Sequence, residues 1–255
     1  MTLHIESLGS GGNLVLLHGW GMHGGIWQDV PSRLASRYRV HVVDLPGLGH
    51  SPSCEPYTLD HMVQILSAAL PQPVHVCGWS LGGEVAMQWA LAQPQQVQKL
   101  ILVGATPKFV SEGNWNYGMP EDVFSQFAHE VEQDYRGTLM RFLSLQAHGG
   151  ETSREQIKQL RERFFERGKP APEVLQAGLR ILLGTDLRDQ ICHLQQPTLL
   201  IHGARDTLVP AAAALWMQTQ LQDAQLFMLD AAAHAPFLSH PTDFTKMILD
   251  FLEHP

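Results

Sequence analysis

Cysteine is sparse in this chain: Cys54, Cys77 and Cys192 form an odd, widely spaced set, which offers neither a disulfide framework nor a zinc motif. No H-x-H, H-E-x-x-H or clustered Cys/His spacing occurs among the 14 histidines, so neither a metal nor another cofactor is expected. No apolar run approaches the roughly 18–20 residues that span a bilayer, which argues against a helical membrane anchor. The segment Met1-Thr-Leu-His-Ile-Glu-Ser has no basic stretch leading into an apolar one. Export is therefore not expected, and the cytoplasm is the simplest compartment. Repeats and low-complexity tracts are missing. Positive charge is also short, with 17 Lys and Arg against 25 Asp and Glu and a net charge of −8, which disfavours nucleic acid as a partner.

What remains is a balanced globular composition, 44% hydrophobic and 16% charged over 255 residues, enough for one domain with a sizeable core. The charge is unevenly distributed. Between Arg136 and Lys169 lie eight basic and four acidic residues, a net of +4 that leaves −12 on the remainder.

Short β-branched or leucine-rich runs alternate with helical patterns through the first hundred residues. Strands are expected at 13–17, 38–44, 74–78 and 97–104, with helices at 24–36, 58–70 (capped by Thr58) and 81–93. This rhythm implies a mostly parallel sheet with helices on both faces. From about residue 106 to about 187 the pattern turns helical and rich in aromatics, which reads as a helical lid inserted into the α/β domain. The alternation then resumes with strands at 198–202 and 225–229 and helices at 211–220 and 241–253.

Two glycine motifs compete for the functional reading. Gly19-Trp-Gly-Met-His-Gly24 matches G-x-G-x-x-G after a strand, and Asp44 ends the next strand, the pattern of a dinucleotide fold. Against it, Asp44 runs straight into Leu45-Pro-Gly-Leu-Gly, a tight loop where a ribose should sit. Gly78-Trp-Ser-Leu-Gly82 matches G-x-S-x-G between a strand and a helix, the setting of a nucleophile elbow. A serine hydroxyl needs a base, and the base an orienting carboxylate. Asp206 and His234 follow in the order Ser, acid, His, each on a loop after a late strand, with Asp230 as the substitute acid. His202 and His240 read as structural. Asp186 and Asp189 precede their strand and so fall at its wrong end. The oxyanion donors expected are the backbone N–H groups of Leu81 and Trp20.

His18-Gly19, Asp44-Leu-Pro-Gly-Leu-Gly-His-Ser51, the Ser80 elbow, Gly203-Ala-Arg-Asp206 and His234 together resemble the α/β-hydrolase fold across the whole chain. More narrowly, Leu14-Val-Leu-Leu-His-Gly-Trp-Gly21, Gly78-Trp-Ser-Leu-Gly-Gly83, Arg141-Phe-Leu-Ser-Leu-Gln146 and His234-Ala-Pro-Phe-Leu-Ser-His-Pro241 resemble the pimeloyl-acyl-carrier-protein methyl ester esterases of biotin synthesis. The resemblance implies release of methanol from that carrier-bound ester. It also implies that Trp20, Leu81, Phe142, Leu143, Ser144, Leu145 and Gln146 contact the acyl chain or ester.

An acidic acyl carrier protein gives the basic island a role. Arg136, Arg141, Arg154, Lys158 and Arg161 are spaced for two helices to present them on one outer surface as a docking site. Internal pairing with Glu151, Glu155, Glu162 and Glu166 is the competing explanation. A monomer is expected. The alternatives left open are a broad short-chain esterase or thioesterase with the same triad, a non-catalytic acyl-binding receptor, and a dinucleotide-binding oxidoreductase.

Overall fold

The computed structural model describes residues 1–146 and 166–253; side chains are described outside 142–146. Seven strands form one sheet: β1 (Ile5–Leu8), β2 (Gly12–Leu17), β3 (Tyr38–Val43), β4 (Val74–Trp79), β5 (Val97–Val103), β6 (Thr198–Gly203) and β7 (Ala224–Leu229). Their order is β1-β3-β2-β4-β5-β6-β7, and every pair is parallel except β1 with β3. The last four residues of β2, β3, β4 and β5, and all six of β6, are buried consecutively. Unbroken burial without alternation means that both faces of the sheet are covered.

The helices that cover it are α1 (Val30–Leu34), α2 (Leu59–Ala69), α3 (Leu81–Ala92), α7 (Ala211–Gln220), α8 (Pro236–Ser239) and α9 (Pro241–Glu253). Thr58 caps α2, accepting from the His61 N–H. Between β5 and β6 lie α4 (Glu121–Gln133), α5 (Tyr135–Gln146) and α6 (Pro172–Gly184). Trp27, Phe237 and Phe244 stack inside, with Trp27 and Phe237 centroids 4.5 Å apart, and Trp79 meets Phe237 edge-on at 5.2 Å.

Three elements differ from the sequence expectation. β1 escapes notice because it has four residues and no buried alternation. The helix expected at 24–36 is a 3-10 turn at Gly24–Trp27 followed by α1, broken where Gln28 takes φ 49°. Residues 106–120 are extended rather than helical, with Val110 bridging Met119 and Glu112 bridging Trp115. Both ends of the inserted segment are tied together at its stem. The buried Lys108 donates to Glu112 (2.8 Å) and Asp186 (3.2 Å), and the Leu187 N–H donates to the Pro107 carbonyl (2.9 Å). Arg188 beside Asp186, with Lys108, draws that carboxyl down to about 2. Among the described residues, no helix is long and apolar enough to cross a membrane.

One helix carries a costly group. Glu84, on the first turn of α3, is 1% exposed, and neither carboxyl oxygen is in hydrogen-bonding geometry with a described residue. Burial pushes it well above the usual carboxylate range, with Thr185 pulling weakly the other way. The folded state therefore keeps its proton where the unfolded chain loses it, and stability falls as pH rises above the unfolded value near 4.5. Glu84→Gln is expected to stabilise the protein at pH 8 by ~1–3 kcal/mol. At about 2–4 °C per kcal/mol for a chain of this size, calorimetry at pH 5 and pH 8 should show a Tm gain that grows with pH.

Candidate active site

Ser80 lies between the end of β4 and the start of α3, with φ 55° and ψ −121°. A serine holds such a backbone only when its surroundings force it. They do so here: the Ser80 N–H donates to the Val103 carbonyl (3.0 Å), and its own carbonyl accepts from Gly83 (2.8 Å). The turn is too tight for side chains on either flank. A Cβ on Gly78 would lie 2.2 Å from the Gly82 carbonyl oxygen, and one on Gly82 would lie 2.4 Å from that of Leu17. Leu81 opens α3, so its N–H belongs to the first turn, where helix donors lack intrahelical partners.

Asp206 follows β6 and is fully buried at its side chain. Its Oδ1 accepts from the Leu208 and Val209 N–H groups, both at 2.9 Å, and its Oδ2 accepts from His234 Nδ1 at 2.7 Å. Burial alone would raise this carboxyl. The His234 charge and hydrogen bond, helped by His202 and the Val209 amide, hold it below the ordinary range instead. An ionised Asp206 only accepts, so the proton of neutral His234 sits on Nδ1. His234 Nε2 is buried and makes no hydrogen bond among the described residues, Ser80 Oγ included. The histidine loop is fixed from the serine side, because Trp79 Nε1 donates to the His234 carbonyl at 2.9 Å and the two rings lie 5.5 Å apart.

Beside Ser80 opens an apolar cavity of about 220 Å³ lined by Trp20, Phe109, Met119, Val123, Phe124, Phe127, Leu182 and Leu208, with Glu130, Thr138 and Arg141 as its polar members. Trp20 is pinned as a wall: its indole N–H donates to the Leu175 carbonyl (2.9 Å) and its ring meets Phe127 edge-on at 5.5 Å.

A family model for the alpha/beta hydrolase fold matches residues 12–241. Curated pimeloyl-[acyl-carrier protein] methyl ester esterases of Nitrosospira multiformis and Nitrosomonas europaea are 43% and 45% identical to this chain, covering 98% and 96% of it and 98% and 97% of themselves. The chain belongs to this esterase family, within the α/β hydrolases. Among solved structures, an esterase from Exiguobacterium antarcticum aligns with a TM-score of 0.91 at 25% identity, over 99% of this chain and 96% of its own.

In this esterase the competing glycine motif has another use. Asp44 is fully buried and accepts from the Gly24 N–H (2.7 Å), the His50 N–H (2.9 Å) and Arg167 Nη1 (3.0 and 3.1 Å). A carboxylate so engaged is not available to a ribose. His4 and His50 also bring ring nitrogens within 4.8 Å of Asp44, but Arg167 already bridges both carboxylate oxygens there. Asp230, the substitute acid, is exposed, and the bond to His234 comes from Asp206.

The basic island divides. Arg167 is an internal tie to Asp44 and Glu6, not a surface charge. Arg141 pairs with Glu130 (2.8 Å) and Thr138 (3.0 Å) at the cavity, while Glu151, Glu155 and Glu162 lie outside the described residues. Arg136 is exposed on the same helix. At 3.6 residues per turn the two arginines lie about 140° apart around α5, so that helix does not present them on one face. Arg154, Lys158 and Arg161 lie outside the described residues, as do the side chains of Phe142, Leu143, Ser144, Leu145 and Gln146. Trp20 lines the cavity, whereas Leu81 is buried and is not among the described lining.

Sequence reading missed Trp79 and His202 as site residues. His202 Nε2 donates to the Val209 carbonyl at 2.8 Å, which places it against the acid loop. The pattern G-W-S carried a signal for Trp79; nothing in the sequence signalled the partners. The Asp206–His234 bond is directly observable. A low-field proton resonance from His234 Nδ1–H is expected at pH 7 in the wild type and should vanish in Asp206→Asn, where an amide can present a donor to the same nitrogen.

Proposed function

We infer that this chain is a cytoplasmic, monomeric serine carboxylesterase that hydrolyses the methyl ester of pimeloyl-acyl-carrier protein to methanol and pimeloyl-acyl-carrier protein in biotin biosynthesis. One observation carries the chemistry: an elbow serine beside an apolar cavity, with a histidine whose Nδ1 is held by a buried carboxylate and whose Nε2 makes no bond among the described residues. Similarity to curated methyl ester esterases along nearly the whole chain supports the substrate. The three cysteines, all free thiols, suit a reducing compartment, and the described catalytic groups all come from one chain.

In this reading His234 Nε2 takes the proton of Ser80 Oγ as the oxygen attacks the ester carbonyl. A serine hydroxyl turns on one torsion, and such bonds tighten when substrate binds. The N–H groups of Leu81 and Trp20 stabilise the oxyanion, with the α3 N-terminus adding its dipole. His234 returns the proton to the departing methoxide. It then activates water against the acyl-enzyme, while Asp206 stabilises the imidazolium in each half-reaction. The apolar cavity takes the methylene chain and the inserted helices act as its lid. Arg141 at the cavity meets the carrier's arm, with Arg136, Arg154 and Lys158 drawing in the acidic carrier by a salt-sensitive attraction.

Two experiments test this reading. Ser80→Ala is expected to lower kcat at least ~10⁴-fold on methyl pimeloyl-carrier, and turnover near wild type would refute the mechanism. Arg136→Glu combined with Arg154→Glu is expected to raise KM for the carrier-bound ester about tenfold while moving hydrolysis of a free short-chain methyl ester less than about twofold. Equal losses on both substrates would remove the docking surface and favour a broad short-chain esterase.

A further inference from the structure

The geometry points to His18 as a positioning residue that locks the Gly19–Trp20 peptide so that the Trp20 N–H is presented to the oxyanion over Ser80. The inference rests on the oxyanion reading above and adds what holds that donor in place.

His18 follows β2 and is completely buried. Its Nε2 lies 2.9 Å from the Leu45 N–H. That amide can only donate, so Nε2 is the acceptor and the ring proton sits on Nδ1. Nδ1 lies 2.9 Å from the Gly19 carbonyl and therefore donates to it, and the Met22 N–H reaches the same oxygen at 3.3 Å. Burial keeps the ring neutral, drawing it down to about 4 against the pull of Asp44. An imidazolium would set a second donor against Leu45, so the tautomer and the contact sustain each other.

In a trans peptide the carbonyl and the following N–H point in opposite directions within one rigid plane. Fixing the Gly19 oxygen on the His18 side therefore fixes the Trp20 N–H on the other. That peptide lies beside the nucleophile: a Cβ on Gly19 would be 3.2 Å from Ser80 Cβ and 3.1 Å from the Trp79 ring. If the plane turned over, a carbonyl oxygen would replace the N–H and repel the developing negative charge. The loop is gripped at its far end as well, where the Gly24 N–H donates to Asp44, the residue before Leu45. The end of β3 thus holds both ends of the segment that carries Trp20.

Two variants divide the two ring contacts. The amide nitrogen of His18→Asn stands where Nδ1 does and can still donate to the Gly19 carbonyl. The longer His18→Gln reaches the Nε2 position, where its oxygen can accept from Leu45, but leaves Gly19 unheld. Expected results are a kcat loss of about 10²–10³-fold in His18→Gln, with KM within about threefold, and a loss under about tenfold in His18→Asn. Tm is to be measured for both, because a purely packing role predicts kcat losses that follow Tm and do not separate the variants. Equal losses, or full activity in both, would overturn the proposal.

Amide NMR with a boronic acid bound at Ser80 separates this proposal from the reading beneath it. In the wild type both the Leu81 and Trp20 N–H resonances should move downfield; in His18→Gln only that of Leu81 should. An unmoved Trp20 resonance in the wild type would refute Trp20 as an oxyanion donor, and His18's role with it. An equally shifted Trp20 resonance in His18→Gln would leave the donor standing and refute His18 alone.

Discussion

The carboxylate of Asp206 has no exposed side-chain surface and accepts from three converging donors, His234 Nδ1 and the amides of Leu208 and Val209. Against the upward push of burial, His234, with His202 and the Val209 amide, holds it below the usual carboxylate range. A buried charge is tolerated only when paired and hydrogen-bonded, so this anion dictates its surroundings. It sets the His234 tautomer and folds the loop after β6 around itself. His202, bonded to Val209 from within β6, keeps that loop pressed against the end of the strand. Removing the charge would release the imidazole orientation and the loop together, which is why the rest of the rim is built around it.

Asp44 solves the same problem on the other side of Ser80. It too is a buried anion with converging donors, but its partners are Gly24, His50 and Arg167, and none is a base for the reaction. Its work is to close the loop after β2 and the loop after β3 on one another. Arg167 adds a third connection, since it lies within the inserted segment, ahead of α6, and also reaches Glu6 on β1. One ion cluster therefore joins the sheet edge, the loop that carries Trp20 and the stretch of the insertion before α6. Lys108 and Asp186, near the two ends of the insertion, close its stem. The insertion is thus fastened by charges at its stem and at Arg167, while α4 and α6 line the cavity with apolar side chains.

Much of the sheet was legible because a parallel strand covered on both faces is an unbroken apolar run, and Leu14–Leu17, Leu100–Val103 and Leu199–Ile201 are such runs. The elbow was legible for a related reason: a turn that admits no Cβ at 78 or 82 leaves glycine as the visible mark of its geometry. The positions of Asp206 and His234 followed from topology, since loops after successive parallel strands emerge at one rim. What stayed hidden was pairing across long sequence separation. The Trp79–His234 bond joins residues 155 apart, and the Arg167–Asp44 pair joins residues 123 apart. Arg167 entered the sequence reading only as one of eight basic residues, and the fold reveals its half-buried side chain tied to Asp44. The stretch at 106–120 misled because the helical pattern was carried through from residue 106, whereas Gly113 at φ 58° and the crowded Gly118 accompany a non-helical segment that bridges back on itself.

Trp20 joins these two levels of organisation. Its backbone belongs to the loop governed by His18 and Asp44, and its indole belongs to the cavity wall, tied to Leu175 at the start of α6. Gly178, one turn further along α6, leaves the space the indole occupies, since a Cβ there would lie 2.6 Å from the Trp20 ring. Any shift of α6 that breaks the indole bond therefore bears on the same residue whose N–H is proposed as an oxyanion donor. In the proposed mechanism, acyl recognition and oxyanion stabilisation share one side chain and its own amide. On that proposal, a chain that fills the cavity and holds α6 in register also holds the donor in register, whereas a short ester that leaves the cavity empty lacks that support. Discrimination of this kind appears in kcat as well as in KM, because it acts on a contact that strengthens as the carbonyl becomes an alkoxide.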